Sequence, residues 1–487
     1  MRLLFVTSEI FPLIKTGGLA DVSGALPAAL ATTGLDVQIL LPAYRGILAQ
    51  CDAPRLLGSL QAFHDIRCEL YQTTLPGTDI PLLLIDYPAL YDREGGPYHH
   101  PQHGEWQDNP LRFGLLSKVA AMLSVPNMLQ PWLPDLVHCN DWQSGLTPYY
   151  LQQLASPAKS LFSIHNLAFQ GNFHADWRHR LMLAEQDFQP AGYEFYGHLS
   201  FMKAGLYYAD ALATVSPTYA KEIQTEQFGF GFQGLLQHRT NDLTGILNGI
   251  DTQVWDPASD PYLPAHYTSS ALANKKQVKQ ALQAELGLHQ DATGPLLGVV
   301  SRLTHQKGLD MLADIAHELL ASGCQLAVLG SGEPALEQQY LALMRQYPGQ
   351  VVVTIGYNEP LSHRIMAGTD IFVMPSRFEP CGLNQMYGLR YGTIPLVANT
   401  GGLADSVHGG ALMEDGSLPE TMTGLVMPEN NPSTLLVTLR QAVHLYANSG
   451  QWRQLQKQAM QQDVSWETSA KHYFELYEKL RDDLLDI

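Results

Sequence analysis

Charged side chains follow two apolar runs in the second half of the chain. Arg302 and Lys307 lie in "VVSRLTHQKGLD", and Glu379 lies in "SRFEPCGLNQMYG". In a chain with 29 basic and 47 acidic side chains, two cations at one strand end indicate a site for an anionic ligand, although each alone also fits a surface ion pair. A nearby carboxylate suits a reaction in which charge separates, but Glu379 also fits an ordinary helix N-terminal carboxylate.

The loop "KTGGLADV" in the first half predicts a second anion site. The adjacent Gly17 and Gly18 allow backbone N–H groups to approach an anion at the start of a helix, and Lys15 adds a full positive charge. The loop matches neither a P-loop nor a dinucleotide-binding fingerprint. A tight turn with a solvated lysine explains it equally well. The letters "TGGLAD" return at residues 400–405 without the lysine, which predicts a similar turn lining a cleft.

Further polar residues follow other predicted strands. Asp141 in "HCNDW", His165 in "SIHN" and Asn248 in "ILNGID" each suit loop capping when taken singly, and their shared position raises the case for a site. We expect a helix N-terminus in the second half to present the backbone N–H groups of Gly382, Leu383 and Asn384.

Short apolar runs alternate with loops and helical periodicity along the whole chain, which is the βα pattern of buried parallel strands. The predicted fold class is α/β, with two doubly wound Rossmann-like domains facing across a cleft. We expect an N-terminal domain at 1–250, a Pro- and Asp-rich linker at 251–270, a C-terminal domain at 271–465, and a final helix at 466–487 that packs back on the first domain. Ligands of such sheets bind at the C-terminal ends of strands, here in the cleft.

Composition excludes several classes of partner. The formal charge of −18 disfavours nucleic acid and anionic membrane surfaces, and five scattered cysteines fit a reducing compartment better than a disulfide framework. The N-terminal apolar run is too short for a signal peptide or a membrane span. We therefore expect a cytoplasmic protein.

Taken together and in order, the motifs resemble those of the bacterial glycogen synthases and plant-type starch synthases, which are retaining glycosyltransferases of the GT-B fold. The resemblance runs from "FVTSEIFPLIKTGGLADVSGALP" through "HCNDW", "SIHNLAFQG", "ILNGID" and "SRLTHQKG" to "FEPCGLNQMYGLRYGTIPLVANTGGLADSV". It implies transfer of glucose from ADP-glucose to the nonreducing end of an α-1,4-glucan such as glycogen or a maltooligosaccharide, with release of ADP. It implies no metal and no cofactor, and the chain has no Asp-x-Asp pair.

The resemblance also implies roles for individual residues. Those matching the catalytic positions are Glu379, which faces the donor sugar, and His165 and Asp141, which line the opposite side. Tyr357, in "TIGYN", is expected to stack on the adenine, and Asn384 stands where many relatives have threonine. The residues expected to bind ADP-glucose are Lys15, Gly17, Gly18, Asp21, Asn248, Arg302, Lys307, Tyr357, Gly382, Leu383 and Asn384.

Several alternatives remain open at this level. Glu379 acts either as an electrostatic stabiliser, which we prefer, or as a transient nucleophile. A retaining transferase that uses UDP-glucose or a small acceptor, a phosphorylase with lysine-bound pyridoxal phosphate, and a non-catalytic glucan-binding protein are the rival functions. Tyr98 and Trp142 fit either sugar stacking or packing.

Overall fold

The computed structural model describes residues 1–129 and 131–482, which divide into two units. The first unit comprises Met1–Asn248 together with the final helix, and the second comprises Gly249–Ser465.

The first unit is built on a mostly parallel sheet with helices between its strands. Its strands are β1 (Arg2–Val6), β2 (Asp36–Pro42), β3 (Arg55–Phe63), β4 (Ile66–Thr74), β5 (Pro81–Asp86), β6 (His99–His100), β7 (Gly104–Glu105), β8 (Leu136–Asn140), β9 (Lys159–Ile164), β10 (Asn172–Phe173), β11 (Glu194–Phe195), β12 (His198–Ser200), β13 (Ala211–Thr214) and β14 (Leu243–Gly245). Its helices before the chain enters the second unit are α1 (Gly18–Thr32), α2 (Ile47–Gln50), α3 (Pro88–Tyr91), α4 (Asn109–Met122), α5 (Thr147–Gln153), α6 (Trp177–Arg180), α7 (Phe201–Tyr208), α8 (Pro217–Glu222) and α9 (Gln233–His238).

The strand order of the main sheet is β14-β13-β9-β8-β1-β2-β5-β4-β3. The strands from β14 to β5 are parallel, and those from β13 to β5 are largely buried, as expected for strands covered on both faces. β1 lies near the centre, and its Leu3, Leu4, Phe5 and Val6 side chains have no exposed surface. The order reverses between β1 and β8, so the loops after these two strands form a switch point of the sheet.

Two antiparallel strands extend this sheet at one edge, and the sequence analysis did not predict them. β4 pairs antiparallel with both β5 and β3. The burial of β4 alternates along most of its length, which is typical of a strand with one solvated face. Such a strand lacks the continuous apolar run used to predict the others.

The second unit has a fully parallel sheet of order β17-β16-β15-β18-β19-β20, which is the dinucleotide-binding order 3-2-1-4-5-6. Its strands are β15 (Leu296–Val300), β16 (Gln325–Gly330), β17 (Val351–Ile355), β18 (Ile371–Met374), β19 (Ile394–Ala398) and β20 (Leu425–Met427). Its helices are α10 (Ala273–Leu286), α11 (Leu309–Ala321), α12 (Pro334–Gln346), α13 (Glu359–Gly368), α14 (Asn384–Tyr391), α15 (Gly401–Ser406), α16 (Pro432–Ala447) and α17 (Ser449–Met460).

Residues 251–270, which were predicted as a linker, belong to the second unit and pack against it. The Trp255 ring is stacked on His363 at 3.7 Å and on Tyr387 at 3.8 Å between ring centroids. Asp260 accepts hydrogen bonds from His363 Nδ1 at 2.7 Å and from the Tyr391 hydroxyl at 2.6 Å. The polar composition that suggested a linker therefore belongs to turns with buried anchors.

The final helix, α18 (Trp466–Asp482), packs within the first unit against α1. Its Tyr477 hydroxyl lies 2.8 Å from His138 Nδ1 on β8, and both side chains are fully buried. Ser469 donates a hydrogen bond to the backbone oxygen of Leu247. In the part of the chain that the structure describes, every helix is too short or too polar to span a bilayer.

Candidate active site

The loops after β15 and β18 meet because these strands are neighbours at the switch point of the second unit. Arg302 and Lys307 follow β15, and Glu379 follows β18. Residues far apart in sequence thereby come to the same C-terminal edge of the sheet, where ligands of doubly wound folds bind.

Lys307 and Glu379 form an ion pair at this edge, with 2.6 Å between Nζ and Oε2. The same carboxylate oxygen accepts a hydrogen bond from the Ser376 hydroxyl at 3.0 Å. The Glu379 side chain is 8% exposed and that of Lys307 is 18% exposed. Charge-assisted bonds in a partly desolvated place hold both groups in one geometry, so the cation and the carboxylate form one unit.

The backbone around Lys307 is fixed by a close approach of the two loops. Gly308 has φ +67°, and a Cβ at this position would lie 1.9 Å from the Pro375 carbonyl oxygen. Arg377 holds Asp310 through two hydrogen bonds of 2.7 and 2.6 Å. The short 3₁₀ turn His305–Lys307 is therefore pinned on both sides.

The second copy of "TGGLAD" contacts the backbone of the Glu379 loop, while its place beside a cleft stays a prediction. Gly402 N–H donates to the carbonyl oxygens of Glu379 and Pro380 at 3.2 and 3.1 Å. Gly401 has φ +45°, and a Cβ there would lie 1.9 Å from the Glu379 carbonyl oxygen. Only glycine permits this contact, so the repeat acts on the backbone that carries Glu379.

Four other predicted residues of the second unit occupy different positions. Arg302 is exposed, and its guanidinium makes no ion pair with any residue that the structure describes. Asn384 opens α14, with Gly382 and Leu383 just before it, and its side-chain amide donates to the Val300 carbonyl oxygen at 2.7 Å. That bond ties the start of α14 to the end of β15.

Tyr357 lies apart from the Lys307–Glu379 pair, after the edge strand β17 and two strands away from β15. Its ring is 73% exposed and its hydroxyl contacts the Glu359 carboxylate. An exposed aromatic face at the C-terminal edge of the sheet fits a planar ligand.

In the first unit the switch point is occupied by a carboxylate that the sequence analysis missed. Glu9, just after β1, is 4% exposed. Its Oε2 accepts the backbone N–H groups of Thr16 and Gly17 at 2.6 and 3.0 Å, and its Oε1 accepts the Tyr98 hydroxyl at 2.5 Å. Glu9 thus satisfies donors at the start of α1 and holds the Lys15 loop.

In this structure the Gly17 N–H donates to Glu9, and its contact with a diphosphate stays a prediction. Gly18 is the first residue of α1. Lys15 Nζ pairs with Asp21 Oδ1 at 2.8 Å, and their side chains are 27% and 24% exposed. The lysine therefore reaches solvent and is held in place without being buried.

Asp141 and His165 come together at the ends of β8 and β9. The His165 backbone N–H donates to Asp141 Oδ1 at 3.3 Å, and His165 Nε2 lies 2.9 Å from Asn140 Oδ1. Because the Asn140 amide nitrogen donates to the Val6 carbonyl oxygen, its oxygen faces His165, and Nε2 carries the imidazole proton.

Burial controls the charge of both residues. It raises the pKa of Asp141 to about 7, against the lowering effect of backbone hydrogen bonds from His165 and Asn166. Burial lowers the pKa of His165 to about 4, so the imidazole is neutral near pH 7. Asp141 also has φ +58°, a strained value for a residue with a side chain. Perturbed titration and strain of this kind are typical of functional sites.

Asn248 lies at the end of the first unit and is 5% exposed. Its Oδ1 is buried and accepts no hydrogen bond from the residues described here. An amide oxygen buried in this way can accept a hydrogen bond from a hydroxyl group, so the predicted binding role of Asn248 stays open.

Tyr98 and Trp142, considered as sugar-stacking residues, are packing residues in this structure. Tyr98 binds Glu9, and the Trp142 ring, 8% exposed, packs against Phe113 and Phe201. The missed Glu9 has one signal in the sequence, a carboxylate directly after the first apolar run. Local pattern alone does not reveal that its partners are the N–H groups seven and eight residues on.

Sequence comparisons with known proteins and families cover both units of the chain. Residues 2–238 match the family described as Starch synthase catalytic domain, and residues 287–459 match Glycosyl transferases group 1. A glycogen synthase of Nitrosomonas eutropha is 48% identical over 99% of this chain and 96% of its own length. One of Marinobacter nauticus is 48% identical over 98% of each chain.

Solved structures extend the likeness to three dimensions. The catalytic domain of Starch Synthase IV from Arabidopsis thaliana, bound to ADP and acarbose, covers 99% of each chain with a TM-score of 0.86 and 31% identity. Sucrose-phosphate synthase from Thermosynechococcus elongatus covers 98% of each chain with a TM-score of 0.59 at 17% identity, which is a likeness of fold alone.

These matches confirm the predicted GT-B fold and the resemblance stated from the motifs. The chain belongs to the glycogen synthase family of glycosyltransferases.

Proposed function

We propose that the protein transfers glucose from ADP-glucose to the nonreducing end of an α-1,4-glucan, with retention of configuration and release of ADP. The observation that carries the proposal is the Lys307–Glu379 ion pair at the switch point of the second unit. The relatives named glycogen synthase support the donor and acceptor classes, and the starch synthase solved with ADP supports adenine as the base.

The donor contacts follow from charge and exposure. Arg302, exposed after β15, and Lys307 bind the diphosphate, together with the N-terminal turn of α14. Tyr357 stacks on the adenine through its exposed ring. In the first unit, Lys15 and Asp21 bind the nucleotide sugar, and Asn248 offers its buried amide oxygen to a sugar hydroxyl.

The chemistry requires charge stabilisation more than a strong general acid. As the bond between the anomeric carbon and the phosphate oxygen breaks, positive charge develops on the carbon and negative charge on the departing ADP. Arg302 and Lys307 stabilise the departing phosphate, and Glu379 stabilises the cationic sugar. ADP is a weak base, so it leaves without the protonation that an alkoxide needs.

Retention follows if the acceptor attacks the face that the phosphate vacates. The glucan O4 forms the new bond to the anomeric carbon, and its proton passes to the departing phosphate oxygen. Glu379 remains a carboxylate throughout, held by Lys307 and Ser376. The neutral His165 imidazole contacts the donor sugar as a hydrogen-bonding group and adds no competing positive charge.

The decisive assay is ADP release from ADP-glucose with and without glycogen, with UDP-glucose as a parallel donor. We expect ADP release that depends on glycogen and is faster than UDP release from the alternative donor. Equal rates of ADP release with and without glycogen, or faster release of UDP from UDP-glucose, would contradict the proposal.

Two substitutions separate the roles of site residues. Glu379→Gln should lose far more turnover than donor affinity, since the carboxylate acts on charge that develops during reaction. Lys15→Gln should mainly raise KM for ADP-glucose. Near-native turnover in the first variant removes Glu379 from the mechanism, and an unchanged KM in the second removes Lys15 from the donor site.

A further inference from the structure

Asn140, the last residue of β8, holds the His165 ring with a side-chain amide that is fully buried. Its Nδ2 donates to the backbone oxygens of Val6 and His138 at 3.1 and 3.4 Å, and its Oδ1 lies 2.9 Å from His165 Nε2. A reversed amide would point Oδ1 at two carbonyl oxygens, so the ends of β1 and β8 fix its orientation. Asn140 lies in the motif "HCNDW", in which only Asp141 was predicted to have a role.

The buried amide selects one tautomer of the His165 ring. Because Asn140 Oδ1 can only accept, Nε2 carries the proton of the neutral imidazole and Nδ1 keeps its lone pair. Nδ1 makes no hydrogen bond with any residue that the structure describes, and the His165 side chain is only partly buried. Nδ1 is therefore the ring nitrogen open to a ligand, and it is an acceptor.

An amide orients the imidazole without favouring its charged form. A carboxylate in the same place would stabilise the imidazolium, as the aspartate of a Ser-His-Asp triad does. Asn140 carries no charge, and burial lowers the pKa of His165 to about 4. The ring consequently stays neutral near pH 7, and Nδ1 stays an acceptor.

Asp141 holds the same histidine at a second point. Its Oδ1 accepts the His165 backbone N–H at 3.3 Å. Consecutive side chains of a strand point to opposite faces, and Asp141 departs from this pattern with φ +58° and ψ −179°, a conformation found almost only in glycine. Two successive residues thereby contact His165, one at the ring and one at the backbone. The strained backbone accompanies the precise placement of one imidazole.

We propose that Asn140 is a positioning residue of the transfer reaction, which fixes the His165 ring so that Nδ1 accepts a hydrogen bond from a hydroxyl group of the donor sugar. A glucose hydroxyl can supply that hydrogen, whereas the ionised phosphate oxygens of ADP cannot. Asn140 should therefore affect recognition of the sugar more than recognition of ADP. This inference rests on the proposed function, because that function supplies the sugar.

The kinetic test is Asn140→Leu, which keeps a side chain of similar shape and removes the acceptor. Without the acceptor, the His165 proton can move to Nδ1. The value of kcat/KM for ADP-glucose should fall by about tenfold, the effect of one well-placed hydrogen bond, and the inhibition constant of ADP, which lacks the sugar, should stay within about twofold. In a His165→Ala background, Asn140→Leu should change kcat/KM by less than about twofold, because it acts through the ring.

NMR of the full chain labelled with ¹⁵N-histidine measures the tautomer without any need for activity. The His165 signals are identified by their loss in His165→Ala. Near neutral pH, Nε2 should resonate as a protonated nitrogen and Nδ1 as an unprotonated one, and Asn140→Leu should change both signals. Asn109→Leu is the matched control and should leave both unchanged, since the Asn109 amide is also buried and donates to the Tyr98 backbone oxygen.

Each outcome decides the inference. A protonated Nδ1 in the wild-type spectrum overturns it, and this spectrum decides even if Asn140→Leu fails to fold. An equal fall of kcat/KM with and without the His165 ring, or an equal loss of ADP affinity, also overturns it and assigns Asn140 to folding alone. The proposed function is judged separately, on glycogen-dependent ADP release. A wild-type protein with this tautomer but no ADP release contradicts that function and not the hold of Asn140 on His165.

Discussion

Replacing Lys307 with methionine tests whether the ion pair with Glu379 is the electrostatic centre of the second unit. Methionine keeps most of the side-chain length but removes the charge that lies 2.6 Å from the carboxylate. Glu379 is then left as a carboxylate with only 8% of its side chain exposed, and it keeps the hydrogen bond from the Ser376 hydroxyl.

The expected loss of stability follows from how deeply each of the two side chains, Lys307 and Glu379, is buried. Removing one partner of a buried pair typically costs about 3–5 kcal/mol. The Lys307 side chain is 18% exposed, so water can enter the space, and the Ser376 bond persists. We therefore expect a loss of roughly 2–3 kcal/mol in the free energy of unfolding. Glu379→Gln leaves the more exposed partner unpaired and should cost only about 1 kcal/mol.

Urea unfolding measures this asymmetry, with Trp255 and Trp452 as fluorophores in the second unit. Because a two-unit protein need not unfold in one step, the transition of the second unit is fitted on its own. The double variant Lys307→Met, Glu379→Gln should be more stable than Lys307→Met alone, since no charge remains unpaired.

Two results would refute this reasoning. A Lys307→Met variant within about 0.5 kcal/mol of wild type would place the pair in the class of surface salt bridges. Strictly additive effects in the double variant would show that the two side chains do not interact in solution.

Three further predictions concern the surrounding framework. Gly308→Ala should raise KM for ADP-glucose and lower stability, because its Cβ would lie 1.9 Å from the Pro375 carbonyl oxygen; Gly323→Ala, with φ +86° and nothing within 4 Å, is the control for backbone strain alone. Tyr477→Phe should cost about 1–3 kcal/mol in urea unfolding of the first unit by leaving His138 Nδ1 without its 2.8 Å partner. Burial lowers the pKa of His138 to about 3, so as the pH falls the unfolded chain takes up the proton before the folded chain does. The free energy of unfolding should therefore be steady above pH 6.5 and fall towards pH 3. Urea midpoints at several pH values measure this, and the fall should be less steep in His138→Gln.

Local sequence pattern was sufficient to predict the parallel strands and the polar loops that follow them. β1 and β15 are continuous apolar runs, and the polar residues after them end those runs visibly in the letters. Local sequence pattern was insufficient to predict β3 and β4, whose register depends on their pairing with each other and with β5. Antiparallel edge strands with one solvated face lack the apolar run by which the others were found.

The partners of the site residues also lay outside the reach of local pattern. Glu9 directly follows the apolar run of β1, and its hydrogen bonds to Thr16 and Gly17 depend on the way the chain turns back after that strand. The two copies of "TGGLAD" share their letters, yet the first rests on the Glu9 carboxylate and the second on the backbone of Glu379 and Pro380.

The sequence by itself determined the α/β class and the family, since apolar periodicity and motif order can be read from short stretches of sequence. It also predicted which residues bind a diphosphate. Tertiary structure alone decided which charges meet. Lys307 and Glu379 are 72 residues apart, and they pair because β15 and β18 are neighbours in the sheet. Strand order and register are set by long-range packing, which short windows of sequence do not contain.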